Sequence, residues 1–325
     1  MSDLGLHGYR AEQIFKWIWQ KGARNFSEMT DVSKRWRDYL DRTYTIKGPH
    51  AVGIRHDGED AQKYLIRMED GEQIESVFIR EKRRRTICVS CQVGCPLGCK
   101  FCATALLGFK RNLLAYEICD QVQLIQESVE EICTNVVFMG MGEPFLNTEE
   151  VFRTLEIMNS PIGLAVGRRH TTISTVGLVP GMEMLLKSPL RVKLAISLNF
   201  AEEDLRREFM PVARSNPLQE ILRLARAYSH EKEIVTFEYV MIKGVNDNIR
   251  DAQNLIRLLK GIPSKINLIP FNEYPGLPYK RPTEKSVGSF YEQLLHSRHT
   301  VVIRKSRGQK ILAGCGQLAA TSNEQ

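Results

Sequence analysis

Strand-like and helix-like segments alternate along most of the chain, and this alternation constrains the fold more than any other feature. The strand-like runs after Thr86 are short, and they are Asn135–Met139, Thr171–Thr175, Val192–Ser197, Val235–Ile242, Lys265–Ile269 and Thr300–Arg304. Amphipathic windows fit between them, and the clearest begins at Asn248 as N-cap and closes at Gly261. Repeated strand-helix units predict an α/β protein with a parallel sheet. Six or seven units are too few for a closed eight-stranded barrel, so we predict a partial (β/α) barrel.

The segments before this region predict two smaller units. Residues 9–20 carry apolar side chains at helical spacing and are followed by Gly22, and a second short helix is predicted from Val32 to Tyr39. Two β-type runs, Tyr64–Met68 and Gln73–Ile79, are separated by a turn. We therefore expect a helical accessory domain at 1–45, a small β extension at 46–82, the partial barrel at 83–320 and a disordered tail at 321–325.

The composition and the first residues indicate where in the cell the protein is expected to be. Among the 325 residues, 43% are hydrophobic and 26% are charged, and no apolar run approaches the roughly 18 residues of a membrane span. The first residues lack the basic and apolar regions of a secretory signal. We therefore expect a cytoplasmic protein with no membrane contact. The formal net charge of +7 permits a polyanionic partner, although the same charge also suits a plain solvated surface.

Polar or small residues follow four of the candidate strands. These loops are 140–144, 174–177, 197–199 and 271–272. In barrel-type α/β folds the carboxyl ends of the strands build the active site. We therefore expect the four loops to meet there.

Five of the eight cysteines fall between Cys88 and Cys102, and three of them have the spacing C-x3-C-x2-C: Cys95, Cys99 and Cys102. Three protein thiolates on a 4Fe-4S cluster leave one iron open, which suits binding of S-adenosylmethionine. The alternative is a structural zinc site with Cys91 as the fourth ligand, although zinc sites usually pair C-x2-C units. Clustering of this kind favours metal or redox chemistry over disulfides.

Several further motifs extend this pattern: Cys88-Val-Ser-Cys-Gln-Val-Gly-Cys95, Gly140-Met-Gly-Glu-Pro144 and Ala313-Gly-Cys-Gly-Gln317. With them the chain resembles, from about Tyr9 to Leu318, the RlmN/Cfr family of radical S-adenosylmethionine RNA methyltransferases. The resemblance implies a radical SAM partial barrel, a 4Fe-4S cluster and methylation of a ring carbon of adenosine. Pro144 and residues 303–308 look like the C2-methylating RlmN branch. A C8-specific Cfr-type enzyme and a non-catalytic, zinc-stabilised RNA-binding protein remain alternatives.

The resemblance also implies catalytic roles for three residues. Cys315 would carry a methyl group, Cys88 would resolve the enzyme-RNA adduct through a transient disulfide, and Glu75 would accept a proton. Two molecules of S-adenosylmethionine would be used in each turnover. Taken alone, Cys88 could be a buried strand residue, Cys315 an incidental thiol, and Glu75 a solvated carboxylate on an amphipathic strand.

The resemblance also implies that seven residues bind S-adenosylmethionine, because they match the family's motif positions. They are Gly142, Glu143, Ser174, Ser197, Leu198, Asn199 and Asn272. Glu143 would accept hydrogen bonds from the ammonium group of S-adenosylmethionine. Asn199 stands where the family commonly has His, and an amide cannot titrate. Cys91 stands where relatives often have Ser, and we interpret it as a spectator thiol.

The partners implied by the resemblance are 23S rRNA, possibly tRNA, and a reductant such as flavodoxin or ferredoxin. The adenine must be unstacked, which predicts a single-stranded or loop target. Basic residues are expected to surround the active-site mouth and hold RNA phosphates, and these are Arg83–Arg85, Arg168, Arg169, Arg304, Lys305, Arg307 and Lys310.

Overall fold

A ten-stranded sheet and a two-stranded hairpin organise the chain in a computed structural model that describes residues 8–320. The predicted tail at 321–325 lies outside the described residues. The strands are β1 His50–Asp57, β2 Ala61–Arg67, β3 Gln73–Glu81, β4 Arg84–Cys88, β5 Gln92–Gly94, β6 Phe109–Asn112, β7 Asn135–Phe138, β8 Thr171–Thr175, β9 Lys193–Ser197, β10 Val235–Met241, β11 Ser264–Pro270 and β12 Thr300–Ile303.

The large sheet has the order β1-β2-β3-β4-β7-β8-β9-β10-β11-β12. Strands β1 to β4 pair antiparallel, whereas β4 and β7 to β12 pair parallel throughout. Strands β1 and β12 are the two edges, so the sheet stays open. The predicted α/β fold with a partial barrel is confirmed, and the three antiparallel strands form the accessory sheet.

Helices connect the parallel strands, as strand-to-parallel-strand crossovers require. The helices are α1 Gly8–Trp19, α2 Lys34–Thr43, α3 Ala103–Leu106, α4 Ala115–Val129, α5 Thr148–Asn159, α6 Val179–Lys187, α7 Glu203–Phe209, α8 Leu218–Glu231, α9 Ile249–Leu258 and α10 Glu284–Leu295. The predicted N-cap of α9 is confirmed, whereas the helix ends at Leu258, two residues before the predicted end at Lys260. Asn248 and Asp251 satisfy each other's backbone N–H groups, and Gly261 turns the chain with φ +79°. None of the described helices is long and apolar enough to cross a bilayer.

The two N-terminal helices pack around a separate apolar cluster that includes Ile14, Phe26, Met29 and Leu40. Helix α1 agrees with the sequence prediction, whereas α2 begins two residues later than predicted and extends to Thr43. Val32 is a buried member of the cluster and lies before α2. Val32 is therefore apolar because it is part of this core, and it does not belong to the apolar face of α2.

Strand β1 and the β5–β6 hairpin were absent from the sequence prediction. All but the last residue of β1 are exposed, so the strand shows no alternation of buried and exposed positions. The hairpin joins residues on both sides of the cysteine loop and is irregular at Val93 and Gly94. The strand β1 and the hairpin both form by pairing with residues that are distant in the sequence. Their own residues therefore show little of the alternation by which a strand is predicted.

Candidate active site

The expected loops meet at one edge of the parallel sheet. Cys88 ends β4, Glu143 lies in the loop after β7, Ser197 ends β9 and Asn272 lies directly after β11. Parallel strands place their carboxyl ends together, and the structure brings the predicted residues to this edge.

The three spaced cysteines occupy the loop between β5 and α3. Cys95 N donates to Gly108 O at 2.8 Å, and Cys102 N donates to Cys99 O at 3.2 Å, which folds the loop back on itself. Burial raises the pKa of the Cys95 thiol to about 12, and negative charge on Cys102 raises it further. Burial and the charges of Cys102 and Cys95 likewise raise the pKa of Cys99. The three thiols therefore lie close enough to influence one another.

The surroundings of this loop suit an iron-sulfur cluster. Apolar side chains of Phe101, Phe200, Phe209 and Phe271 pack with Cys99 in one cluster, which limits solvent access. Within residues 8–320, no three His, Cys, Asp or Glu side chains are arranged to hold a single metal ion. The ligands of a tetrahedral zinc site converge on one ion, whereas each thiolate of a cubane binds a different iron.

Cys91 lies beneath the cysteine loop and is fully enclosed. Its side chain is 2% exposed, and its Sγ lies 3.7 Å from Met141 O. Its own carbonyl accepts from Leu113 N and from Asn147 Nδ2. These contacts give Cys91 a place in the packing below the loop.

Glu143 is a buried carboxylate held by three donors. Its Oε1 accepts from Phe145 N and Thr175 Oγ1, and its Oε2 accepts from Val176 N at 2.9 Å. Burial raises the pKa of Glu143 to about 7, although the three hydrogen bonds lower it. A bound cation would stabilise the charged form.

Ser174 and Ser197 converge on a residue that the sequence prediction missed, Glu238. Ser174 Oγ donates to Glu238 Oε2 at 2.9 Å, and Ser197 Oγ does so at 3.3 Å. Glu238 is 5% exposed, and its Oε1 has no hydrogen-bond partner. A glutamate in the middle of the apolar run Val235–Ile242 was the available signal, because an acid in a buried strand needs partners.

Asn199 adopts a left-handed backbone conformation with φ +59°, which Asn tolerates better than most residues. Its Oδ1 accepts from Val240 N at 3.1 Å, and its Nδ2 donates to Ser197 O at 3.3 Å. The amide therefore joins β9 to β10 through main-chain groups. Leu198 beside it is completely buried.

Cys88 and Cys315 are far apart in the sequence but are close enough in the fold for each to respond to the charge of Arg304. Burial raises the pKa of Cys88 to about 12, negative charge on Cys315 raises it further, and Arg304 lowers it. Burial also raises the pKa of Cys315, and Arg304 again opposes the effect. Arg304 Nη1 lies 3.6 Å from Glu238 Oε1. Arg304 is therefore paired with the buried carboxylate of Glu238, and its positive charge lowers the pKa of both thiols.

The segment that carries Cys315 is bound to the cysteine loop. Ala103 N donates to Gly316 O at 2.7 Å, and Thr104 Oγ1 donates to Leu318 O at 2.6 Å. Asn272 Nδ2 donates to Cys315 O at 3.2 Å. Among the expected cofactor-binding residues, Asn272 therefore contacts the Cys315 segment itself.

Glu75 is not a solvated carboxylate, so that alternative is wrong. Its side chain is 4% exposed, and Lys63 Nζ lies 2.8 Å from its Oε1. Its Oε2 accepts from Ala319 N at 2.9 Å. Both oxygens are engaged inside the protein.

The expected ring of basic residues around the mouth is partly wrong. Arg83–Arg85 and Arg168–Arg169 lie at the amino ends of β4 and β8, and parallel strands begin at the edge opposite the cysteine loop. Arg304 is engaged with Glu238, and Arg307 pairs with Asp60 and Glu81. Lys305 and Lys310 are exposed on the chain between β12 and Cys315. These two lysines therefore lie beyond the carboxyl end of β12.

Two family models match the chain. One described as "Radical SAM superfamily" matches residues 89–258, and one described as "Ribosomal RNA large subunit methyltransferase N-terminal domain" matches residues 1–46. A "Probable dual-specificity RNA methyltransferase RlmN" from Dictyoglomus turgidum is 45% identical over 98% of this chain and 93% of its own length. The chain belongs to the RlmN family of radical SAM methyltransferases.

Other members agree along nearly the whole chain. A "Dual-specificity RNA methyltransferase RlmN" from Geobacter sulfurreducens is 46% identical over 97% of this chain and 87% of its own length. The crystal structure of a radical SAM methyltransferase from Sphaerobacter thermophilus superposes with a TM-score of 0.91 at 39% identity. It covers 98% of this chain and 95% of the other. The RlmN family therefore accounts for both the helical N-terminal region and the sheet.

Proposed function

We propose that this protein methylates C2 of adenosine in RNA through a methylated cysteine and a transient disulfide. The observation that carries the proposal is that Cys88 ends β4 at the carboxyl edge of the sheet, while the Cys315 segment is hydrogen-bonded at the same edge to Asn272 and to the residues after the cysteine loop. Two thiols at one site suit a route in which one carries the methyl group and the other breaks the covalent adduct.

The cofactor sites follow from the residues already described. Cys95, Cys99 and Cys102 would hold a 4Fe-4S cluster inside the apolar cluster around Phe101. Seven residues would hold S-adenosylmethionine, and these are Gly142, Glu143, Ser174, Ser197, Leu198, Asn199 and Asn272. When bound, the cluster and S-adenosylmethionine supply a 5′-deoxyadenosyl radical, and a second S-adenosylmethionine supplies the methyl group.

The chain's own residues would then act in sequence. Cys315 accepts the methyl group by polar transfer, and a hydrogen atom is removed from that methyl. The methylene carbon adds to C2, which lies between two ring nitrogens and is too electron-poor to attack a sulfonium. The adduct gives up one electron, which the oxidised cluster would take back, and Glu75 takes the C2 proton. Cys88 then attacks the sulfur of Cys315, and the C–S bond breaks with its electron pair on the exocyclic carbon. That carbon takes up a proton to become the methyl group, and the two cysteines are left as a disulfide.

We further propose 23S rRNA as substrate, with tRNA as a second one, because curated relatives are described as dual-specificity RNA methyltransferases. A flavodoxin or ferredoxin would supply electrons in the cytoplasm. Residues 1–45 would act as an accessory domain, 46–82 as a β extension and 83–320 as the catalytic barrel.

The proposal is tested with anaerobically reconstituted protein, RNA and mass spectrometry of nucleosides against 2-methyl and 8-methyl standards. Wild-type protein is expected to yield 2-methyladenosine. Cys315→Ala is expected to abolish methyl transfer and to retain the iron and sulfide content of the wild type. An 8-methyl product would favour the Cfr-type alternative, whereas zinc without iron or sulfide would favour an RNA-binding protein.

A further inference from the structure

Lys63 forms a buried ion pair with Glu75 that the catalytic sequence above does not use. The lysine side chain is 7% exposed and the glutamate side chain 4%, with 2.8 Å between Nζ and Oε1. Lysine and glutamate are almost never buried this far unless they are paired. Removing one partner of such a pair is costly, because the other charge stays behind without compensation.

Strand register places this pair on the same face of the sheet as Cys88. Lys63 lies opposite Val77, and Val77 lies opposite Cys88 on the next strand. Residues opposite each other on paired antiparallel strands share a face, and residues two apart on one strand also share it. Glu75 is two residues from Val77. Lys63, Glu75 and Cys88 therefore project from one face on three adjacent strands.

The pair also holds both ends of the segment that carries Cys315. Lys63 Nζ donates to Leu312 O at 3.3 Å, and Ala319 N donates to Glu75 Oε2 at 2.9 Å. Leu312 has φ +53° and Ala320 has φ +42°, conformations that side-chain-bearing residues rarely adopt. Such strain persists only where surrounding contacts enforce it. The ion pair supplies two of those contacts.

We propose that Lys63 is a positioning residue for the proton-transfer step, because it holds the Glu75 carboxylate in place and links it to both ends of the Cys315 segment. The inference rests on the proposed function, in which Glu75 is the proton acceptor. Lys63 Nζ lies 2.8 Å from Oε1, so loss of the lysine would leave the buried carboxylate without its charged partner.

The second oxygen of Glu75 determines when the base can act. In the structure Oε2 is committed to Ala319 N, so it becomes available when the segment shifts during reaction of Cys315 with the base. The C2–H bond then breaks, its electron pair stays in the adenine ring and the proton moves to Oε2. Lys63 keeps its charge, and the pair carries one positive charge until the proton leaves to solvent.

Lys63→Met tests the proposal in the cluster-loaded enzyme with RNA. We expect normal methylation of Cys315 and normal formation of 5′-deoxyadenosine, followed by accumulation of a covalent enzyme-RNA adduct on denaturing gels. Release of 2-methyladenosine should fall about 100-fold, the smaller end of the usual contribution of a general base. Lys63→Arg, which keeps the charge, should restore release at least in part. Glu75→Gln should accumulate the same adduct, and the double variant should be no slower than Glu75→Gln alone.

Arg67→Met is the matched control, because it also removes one positive charge from β2 but at an exposed position. It should release product at the wild-type rate. The inference is overturned if Lys63→Met resolves the adduct as fast as wild type. It is also overturned if Lys63→Met and Lys63→Arg both fail to methylate Cys315, because the lysine would then be purely structural. Failure of the wild type itself to make 2-methyladenosine would refute the proposed function instead.

Discussion

At the scale of single residues, Glu143 shows how burial tunes a side chain toward a charged ligand. Burial raises its pKa to about 7, so without a neighbouring cation the side chain is a mixture of acid and carboxylate at neutral pH. Under the proposed function the ammonium group of S-adenosylmethionine binds the carboxylate. Binding should therefore become tighter as pH rises through 7, and it should release protons below that pH.

This pH dependence is measurable by calorimetry on the cluster-loaded protein. Affinity for S-adenosylmethionine should increase between pH 6 and pH 7.5, by at most about tenfold for each pH unit. Glu143→Gln should bind more weakly and lose that slope. Equal affinity for wild type across the range would contradict a role for this carboxylate in binding the ammonium group.

Residues with local sequence signals were predictable, whereas buried charges were not. The spacing of Cys95, Cys99 and Cys102 places three thiols on one loop whatever the fold around them. Lys63 carries no such signal, because its importance depends on a partner on another strand. Glu238 is marked only as an acid within an apolar run, and the sequence does not show that Ser174 is its partner. Arg304 was assigned to phosphate contacts for the same reason, since only the folded structure shows Glu238 beside it.

At the scale of elements, the turn after β7 packs directly against β5. Gly142 has φ +102°, and a Cβ there would lie 2.6 Å from Gln92 Cβ. Gln92 Oε1 accepts from Glu143 N at 2.9 Å, so the same contact fixes the neighbouring glutamate. A side chain at this position therefore disturbs both the turn and the cofactor site.

Gly142→Ala should reduce the free energy of unfolding by about 1–3 kcal/mol, because alanine meets both backbone strain and a steric clash. It should also weaken binding of S-adenosylmethionine. Gly288→Ala is the control, since a Cβ in that helix meets nothing within 4 Å, and it should stabilise by about 0.5–1 kcal/mol. Urea unfolding of both variants checks the pair, and equal stability of the two would count against the steric explanation.

The same elements show where sequence patterns stop being informative. Six predicted parallel strands agree with the structure, and runs such as β7 and β10 are apolar because strands inside a parallel sheet are buried on both faces. Strand β1 is exposed along most of its length and depends on β2 for its pairing. The β5–β6 hairpin closes around the cysteine loop, and its irregular register leaves no period-two pattern. These strands form because they pair with distant segments, and such pairing cannot be predicted from the local sequence.

At the scale of the whole molecule, the parallel sheet separates two groups of basic residues. Lys305 and Lys310 lie between β12 and Cys315, beyond a carboxyl end of the sheet, and both are exposed. Arg168 and Arg169 precede β8 at the amino edge and are exposed as well. Only the first group lies where an adenine could reach Cys315 while its flanking phosphates contact lysine. Net charge alone does not distinguish the two groups, because both contribute equally to it.

RNA binding at several salt concentrations distinguishes these groups. Lys305→Ala/Lys310→Ala should weaken RNA binding and reduce the slope of log affinity against log salt by about 1–2, because each lost phosphate contact releases about 0.7 fewer counterions. Arg168→Ala/Arg169→Ala removes the same charge from the opposite edge and should leave the slope unchanged. Equal losses in both double variants would mean that RNA responds to the overall charge of the protein. A loss confined to the lysine pair would indicate that phosphates are held beside Cys315, so that binding itself brings the target base to the thiols.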